Sequence, residues 1–233
     1  MNSQLPLGIT WRDHATFNNF YVGNNPQLVS SLVLANEQFI YLWGEAGSGK
    51  SHLLQAVCQK AHERTSEQAS PDHNRPVYLP MQELINLSPG VLEGMEDMNP
   101  VCIDDVQCIA GNKEWEIAFF HLFNRLRDQG IRLIISATAA PNQIGIQLPD
   151  LVTRLGWGAV YQLHSLNDEG KRIVLQQRAT QRGLQLPDDV VQFVLRRSVR
   201  DMNSLFELLD KLDVASLAEQ RKLTIPFVKQ YLD

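Results

Sequence analysis

Eight consecutive residues, Gly44-Glu45-Ala46-Gly47-Ser48-Gly49-Lys50-Ser51, constrain this chain more than any other segment. They fit G-x-x-x-x-G-K-[ST] at every fixed position. An apolar and aromatic run, Phe39–Trp43, precedes them, and a helical pattern follows. Glycines at these spacings let successive backbone N–H groups turn inward around anionic oxygens. A helix opening near Lys50 points its positive end at the same place. The segment therefore predicts a strand–loop–helix unit that holds the phosphates of a nucleotide along Gly44–Ser51. Lys50 is expected on the β- and γ-phosphates, and the Ser51 hydroxyl on Mg²⁺.

The rest of the chain alternates in a way that suits such a unit. Val77–Leu79, Val101–Asp105, Ile131–Ser136 and Val160–Leu163 read as further short strands. Ser51–Arg64 and Glu114–Arg127 read as amphipathic helices, and Met81–Asn86 opens a short one. Thr65–Arg75 is polar, contains a proline and reads as a surface loop. Alternation of this kind predicts an α/β fold, a mainly parallel five-stranded sheet with helices on both faces. After His164 the strands stop, and Asn167–Arg182, Pro187–Arg197 and Met202–Gln220 predict three helices. Asp201 or Asn203 is expected to cap the last of them. The expected division is a tail at 1–10, an α/β domain at 11–163 and a helical domain at 164–233.

Charge narrows the choice of partners. The chain has a formal net charge of −5. Residues 164–233 carry 11 Lys+Arg against 10 Asp+Glu, and the remainder 10 against 16. Neither part reads as an autonomous duplex binder, which would show a basic surface. No apolar run approaches the ~20 residues that cross a bilayer. Met1–Thr10 lacks the features of a secretory signal. Cys58, Cys102 and Cys108 have neither disulfide nor metal spacing. Together these point to a reducing cytoplasm.

Two further segments bear on chemistry. Val101–Asp105 is an apolar strand ending in two acids, about fifty residues after the loop. Asp104 is expected to hold Mg²⁺, directly or through water, and Asp105 to polarise a water. Aspartate is one methylene shorter than the alternative glutamate, so slow intrinsic hydrolysis is expected. Upstream, Phe17–Asn25 sets Phe20 and Val22 beside Gly and Asn. Such a segment either wraps a base or packs over the core, and composition does not choose between them.

Several motifs together resemble one family. Thr16–Gly23, Gly44–Ser51, and Ile103–Gln107 followed by Ala110-Gly111 are similar to the AAA+ module of bacterial replication initiators of the DnaA type. Thr153-Arg154-Leu155-Gly156-Trp157-Gly158 resembles that family's arginine-finger box. The resemblance covers residues 11–220 and implies an AAA+ phosphate-loop module followed by a small three-helix lid. It implies that Arg154 points toward a neighbour's γ-phosphate; without it, Arg154 would read as a solvated surface arginine. It places Arg200 at the second-sensor position, on the nucleotide of its own subunit. Thr138 falls at the first sensor, where the family tends to have aspartate.

Initiators of this type continue into a helix-turn-helix domain, and none is expected here. Gln4-Leu5-Pro6-Leu7-Gly8-Ile9 resembles the hexapeptide that binds the replicative sliding clamp. Gln4 would supply hydrogen bonds, while Leu5, Leu7 and Ile9 would enter apolar pockets. Taken alone the hexapeptide reads as a random tail. Combined with a DnaA-like module, it implies a negative regulator of initiation. Such a protein holds ADP, another nucleoside diphosphate or ATP, with Mg²⁺, and docks on the clamp of DNA polymerase III. It then supplies Arg154 to stimulate ATP hydrolysis by DnaA. DNA would be met only through the clamp, with no membrane partner, and a homodimer would cover either Arg154 or the tail. The competing expectation is a helicase-loader-like or remodelling ATPase, with Arg125, Arg127, Arg132, Arg196 and Arg197 as a single-strand patch. A small-molecule kinase is disfavoured by the Arg154 box and the helices after the sheet.

Overall fold

The computed structural model describes residues 15–67, 75–197, 201–219 and 221–232. Two compact units divide them: the residues up to Glu45 with Gly49–His164, and Ala46–Ser48 with the residues from Ser165 onward.

The first unit is built on one parallel five-stranded sheet. Its strands are β1 (Phe39–Trp43), β2 (Arg75–Pro80), β3 (Met98–Asp104), β4 (Leu133–Ala137) and β5 (Ala159–Gln162), in the order β2-β3-β4-β1-β5. Trp43 pairs with Ala137, Ile103 with Ile135, and Pro80 with Asp104. That register brings the C-terminal ends of four strands to one edge, where open α/β sheets bind ligands. Pro76 and Pro80 are tolerated in β2 because it is an edge strand with one unpaired side.

Helices cover both faces, as the alternation predicts. In chain order they are α1 (Pro26–Leu34), α2 (Lys50–Glu67), α3 (Met81–Leu84), α4 (Lys113–Asp128) and α5 (Pro149–Leu155). Side chains of adjacent strand residues point to opposite faces. Tyr41, Ile103 and Ile135 therefore pack with Trp115, Phe119 and Leu122 of α4. Ile40, Leu42 and Ile134 pack with Leu28 of α1 and Leu53 and Leu54 of α2.

Some boundaries differ from expectation. Helix α2 runs through Thr65 to Glu67, where a loop was expected to begin. The Thr65 hydroxyl donates to the Ala61 carbonyl at 2.7 Å, a helical i−4 contact that keeps this polar end in register. Strand β3 stops at Asp104, because Asp105 adopts a left-handed conformation at φ 57° and ψ 52°. Helices α1 and α5 were not expected. Each starts with proline at its first turn, but both are short and lack a long apolar period.

The second unit contains α6 (Asp168–Gln181), α7 (Asp188–Arg197), α8 (Met202–Glu219) and a fourth, single-turn helix, α9 (Ile225–Val228). Val191, Leu195, Leu205, Leu212 and Phe227 are among its buried residues. The Asp201 carboxylate accepts the Ser204 N–H at 3.0 Å and so caps α8. Among the described residues, no helix is long and apolar enough to cross a membrane.

Candidate functional site

The loop leaves β1 at Trp43 and enters α2 at Lys50. Gly47 and Gly49 sit at φ 73° and 102°, which L side chains rarely adopt, so glycine is required at both. Lys50 is only 6% exposed. Its Nζ donates to the carbonyls of Gly44 and Glu45, each at 2.9 Å. Burial lowers its pKa, and the nearby carboxylates of Asp105 and Asp104 push it back up. Ser48 Oγ is buried and has no hydrogen-bond partner among the described residues. An orphaned hydroxyl, a buried ammonium held by its own loop, and glycine-only turns fit a segment shaped for oxyanions.

The two expected magnesium ligands meet through a residue the sequence did not single out. Tyr78, in β2, donates its hydroxyl to Asp104 Oδ2 at 2.6 Å. Burial, then the Asp104 charge, raises the phenol pKa far above its ordinary value; Gln55 and Ser51, close enough to interact with it, oppose the rise. Ser136, in β4, donates to Asp104 Oδ1 and accepts the Asp105 N–H at 2.9 Å. Three neighbouring strands thus contribute Tyr78, Asp104 and Ser136, and Ser51 also interacts with the Tyr78 hydroxyl. Ser51 and Asp104 fit as holders of a divalent cation bound mainly by phosphate oxygens and water. Among the described residues there is no cluster of three His, Cys, Asp or Glu that could hold a metal without them.

Asp105 is held by two glutamines, neither expected from the sequence. Gln82 Nε2 donates to its Oδ2 at 2.8 Å, and Gln107 Nε2 to its Oδ1 at 2.9 Å. Gln107 Oε1 in turn accepts the Thr138 N–H at 3.2 Å. Thr138, at the expected sensor position, is thereby tied to Asp105 through its backbone rather than its side chain.

The upstream segment is pinned to the start of α2. Thr16 caps a single helical turn at Phe17–Asn19, and its carbonyl bonds to His52 Nε2 at 2.9 Å. The Phe20 ring lies 5.4 Å from that of His52, and a Cβ added to Gly49 would meet it at 3.0 Å. Phe20 also packs beside the core under α1 and α2. Its place against the loop is compatible with both expected roles. The Val22 carbonyl accepts the Asn25 N–H at 2.9 Å.

Arg154 lies in the last turn of α5. That helix is anchored by Glu116, a buried acid of α4, whose carboxylate accepts the N–H groups of Gly111, Gln147 and Leu148 at 2.8–3.0 Å. The Arg154 side chain is half-buried. Its guanidinium carbon lies 3.8 Å from the centroid of the Trp157 ring, and Nη1 has no hydrogen-bond partner among the described residues. A guanidinium held by its face keeps its in-plane donors for an external acceptor.

Three of the five patch arginines are committed within the fold. Arg125 pairs with Glu96 at 3.1 Å, and Arg127 with Asp128 at 2.6 Å. Arg132 donates to the carbonyls of Ser31, Leu32 and Glu37, where burial lowers its pKa. Arg196 and Arg197 end α7. The expected contacts Gln4, Leu5, Leu7, Ile9 and Arg200 lie outside the described residues. Cys58, Cys102 and Cys108 are free thiols.

Comparison with known proteins gives a consistent picture. Residues 168–232 match the family model described as the lid domain of Hda, and residues 90–162 that of the bacterial DnaA ATPase domain. An uncharacterized protein of Haemophilus influenzae is 47% identical over 240 residues, spanning 100% of both chains. Domain III of the Thermotoga maritima replication initiation protein DnaA superposes with a TM-score of 0.81 at 23% identity, over 96% of this chain and 97% of that one. AMPPCP-bound DnaA from Aquifex aeolicus superposes with a TM-score of 0.70 at 21% identity, over 89% of this chain and 68% of that one.

Proposed function

This chain belongs to the Hda- and DnaA-related family of AAA+ proteins, and from that premise we propose that it regulates replication initiation by completing the hydrolytic site of a DnaA partner. Its own loop, Gly44–Ser51, holds a nucleoside diphosphate or ATP, with Lys50 on the phosphates. Ser51 and Asp104 hold Mg²⁺, which supplies positive charge against the phosphate oxygens when bound. Phe20 and Val22 border the base, and Arg200 reaches the nucleotide from the lid. Asp105, held by Gln82 and Gln107, is kept from aligning a water, so turnover in this site is slow. The tail residues Gln4, Leu5, Leu7 and Ile9 dock on the sliding clamp, so the protein meets DNA only through the clamp.

The observation that carries this reading is the state of Arg154. Among the described residues its guanidinium has no carboxylate partner, and it lies over a half-exposed indole. A guanidinium delivered to a neighbour's γ-phosphate neutralises charge that develops during phosphoryl transfer. The motor reading loses support from the internal pairing of Arg125, Arg127 and Arg132. A second copy of this chain is the other candidate for the Arg154 face.

The test is hydrolysis by ATP-loaded DnaA in the presence of clamp loaded on DNA. Addition of this protein accelerates it. Gln4→Ala removes acceleration and clamp capture together but leaves nucleotide binding unchanged. Acceleration by Gln4→Ala at the wild-type rate removes the clamp from the account. Sedimentation with and without ADP tests self-association, and a monomer in both removes the dimer.

A further inference from the structure

We infer that Trp157 is the positioning residue for Arg154: it grips the guanidinium by its face and leaves the edge donors free for a phosphate oxygen of the partner. The inference rests on the trans-acting role proposed for Arg154.

Three observations carry it. The first is the contact itself, 3.8 Å from the guanidinium carbon to the Trp157 centroid, with Phe120 further away at 5.7 Å. A mobile arginine at the end of a short helix would otherwise lose side-chain freedom on reaching its target. A carboxylate partner would restrain it too, but would occupy the donors that the reaction needs. An aromatic face restrains without occupying them. Nη1 is buried and bonds to nothing among the described residues, which is costly for the isolated chain; a partner's oxygen meets it only when the side chain shifts outward.

The second is the way the fold builds the platform. Gly158 follows Trp157 and lies so close to β1 that an added Cβ would sit 2.1 Å from the Phe39 carbonyl oxygen. The Trp157 ring meets Phe123 edge-on at 6.4 Å, and Phe123 stacks on Phe39 at 4.5 Å. The indole is therefore fixed from beneath by an aromatic column rooted in the sheet.

The third is exposure. Trp157 is 51% exposed despite its size, and Val160, on the edge strand beside it, is 43% exposed. A second guanidinium, Arg127, lies 5.8 Å from the same ring. Arg127 is itself paired with Asp128, so Arg154 is the guanidinium on this half-exposed indole that is left for an anionic acceptor.

Two measurements test the inference. In the isolated chain labelled with 5-fluorotryptophan, the Trp157 ¹⁹F resonance, assigned with Trp157→Phe, moves when Arg154 is changed to Gln. An unmoved resonance overturns the stack. In the DnaA hydrolysis assay, Trp157→Ala lowers stimulation about tenfold, as expected for a lost cation–π hold. Trp157→Phe keeps at least half of it, and ADP affinity is unchanged in both variants. Adding Trp157→Ala to Arg154→Ala causes no further loss, because the two act as one unit. Wild-type stimulation by Trp157→Ala overturns the inference, as does equal failure of the Phe and Ala variants. If Arg154→Ala itself stimulates normally, the proposed function fails, and the inference with it. If only the Trp157 variants behave as wild type, the proposed function stands and the inference alone falls.

Discussion

Gln82 and Asp105 meet just beyond the ends of two paired strands, where the glutamine amide donates to the carboxylate at 2.8 Å. Gln107 engages the other oxygen at 2.9 Å. Each oxygen keeps a second lone pair, but two amide donors fix the carboxylate's orientation, so it is not free to turn and align a water. Changing both glutamines to leucine therefore raises intrinsic ATP turnover of the isolated chain, on the order of tenfold. Phosphate release under saturating Mg-ATP measures it, and an unchanged rate argues against this restraint by Gln82 and Gln107.

Among the described residues Lys50 Nζ donates to its own loop carbonyls, and burial lowers its pKa. Removing it deletes the one ammonium in the loop at little cost to folding, because an ammonium buried against carbonyls alone stabilises little. Lys50→Ala is expected to weaken fluorescent-ADP binding by about 100-fold, roughly 2.7 kcal/mol. Its melting temperature should stay within a few degrees of wild type. Retained binding would place the nucleotide elsewhere.

Gly158→Ala sets a methyl group 2.1 Å from a backbone oxygen of β1, which cannot yield without moving the strand. Overpacking against backbone costs about 3 kcal/mol or more. Urea denaturation should show a lower midpoint with little change in slope. A wild-type midpoint would mean that β5 does not hold this register against β1.

At the start of α8, the Ser204 hydroxyl and backbone N–H hold the Asp201 carboxyl below its ordinary pKa. A depressed carboxylate stabilises the fold above its unfolded pKa, about 3.9, and loses that contribution as pH falls through the lower folded value. Asp201→Ala should cost about 1 kcal/mol at pH 7. The gap from wild type should close as pH drops below about 4. Circular-dichroism melts of the full chain across that range would show it, and a gap independent of pH would exclude the carboxylate as the cap.

Chemistry that is local along the chain was legible from sequence, and chemistry assembled across strands was not. The loop was readable because Gly47, Gly49, Lys50 and Ser51 act within eight residues of backbone, and Asp104 because an apolar strand ends there. Tyr78, Ser136, Gln82 and Gln107 gave no such signal. Each is ordinary in its own segment and gains its role only when β2, β3 and β4 align their ends. Glu116 reads as a surface acid of an amphipathic helix, yet it is buried and holds the backbone ahead of α5. Helix α5, with seven residues, is too short for periodicity to announce. Arg154 was therefore visible through family resemblance, while its stack on Trp157 was not.

In the proposed role Arg154 works outside its own subunit. The most direct measurement is the fraction of DnaA-bound ATP converted to ADP with clamp-loaded DNA, with wild type or Arg154→Ala added. Both proteins should bind ADP and clamp equally, and the variant should lose at least 10³-fold in stimulated rate, the scale of ~10³–10⁵ for a guanidinium supplied in trans. An Arg154→Ala protein that converts DnaA-ATP as fast as wild type would contradict the account.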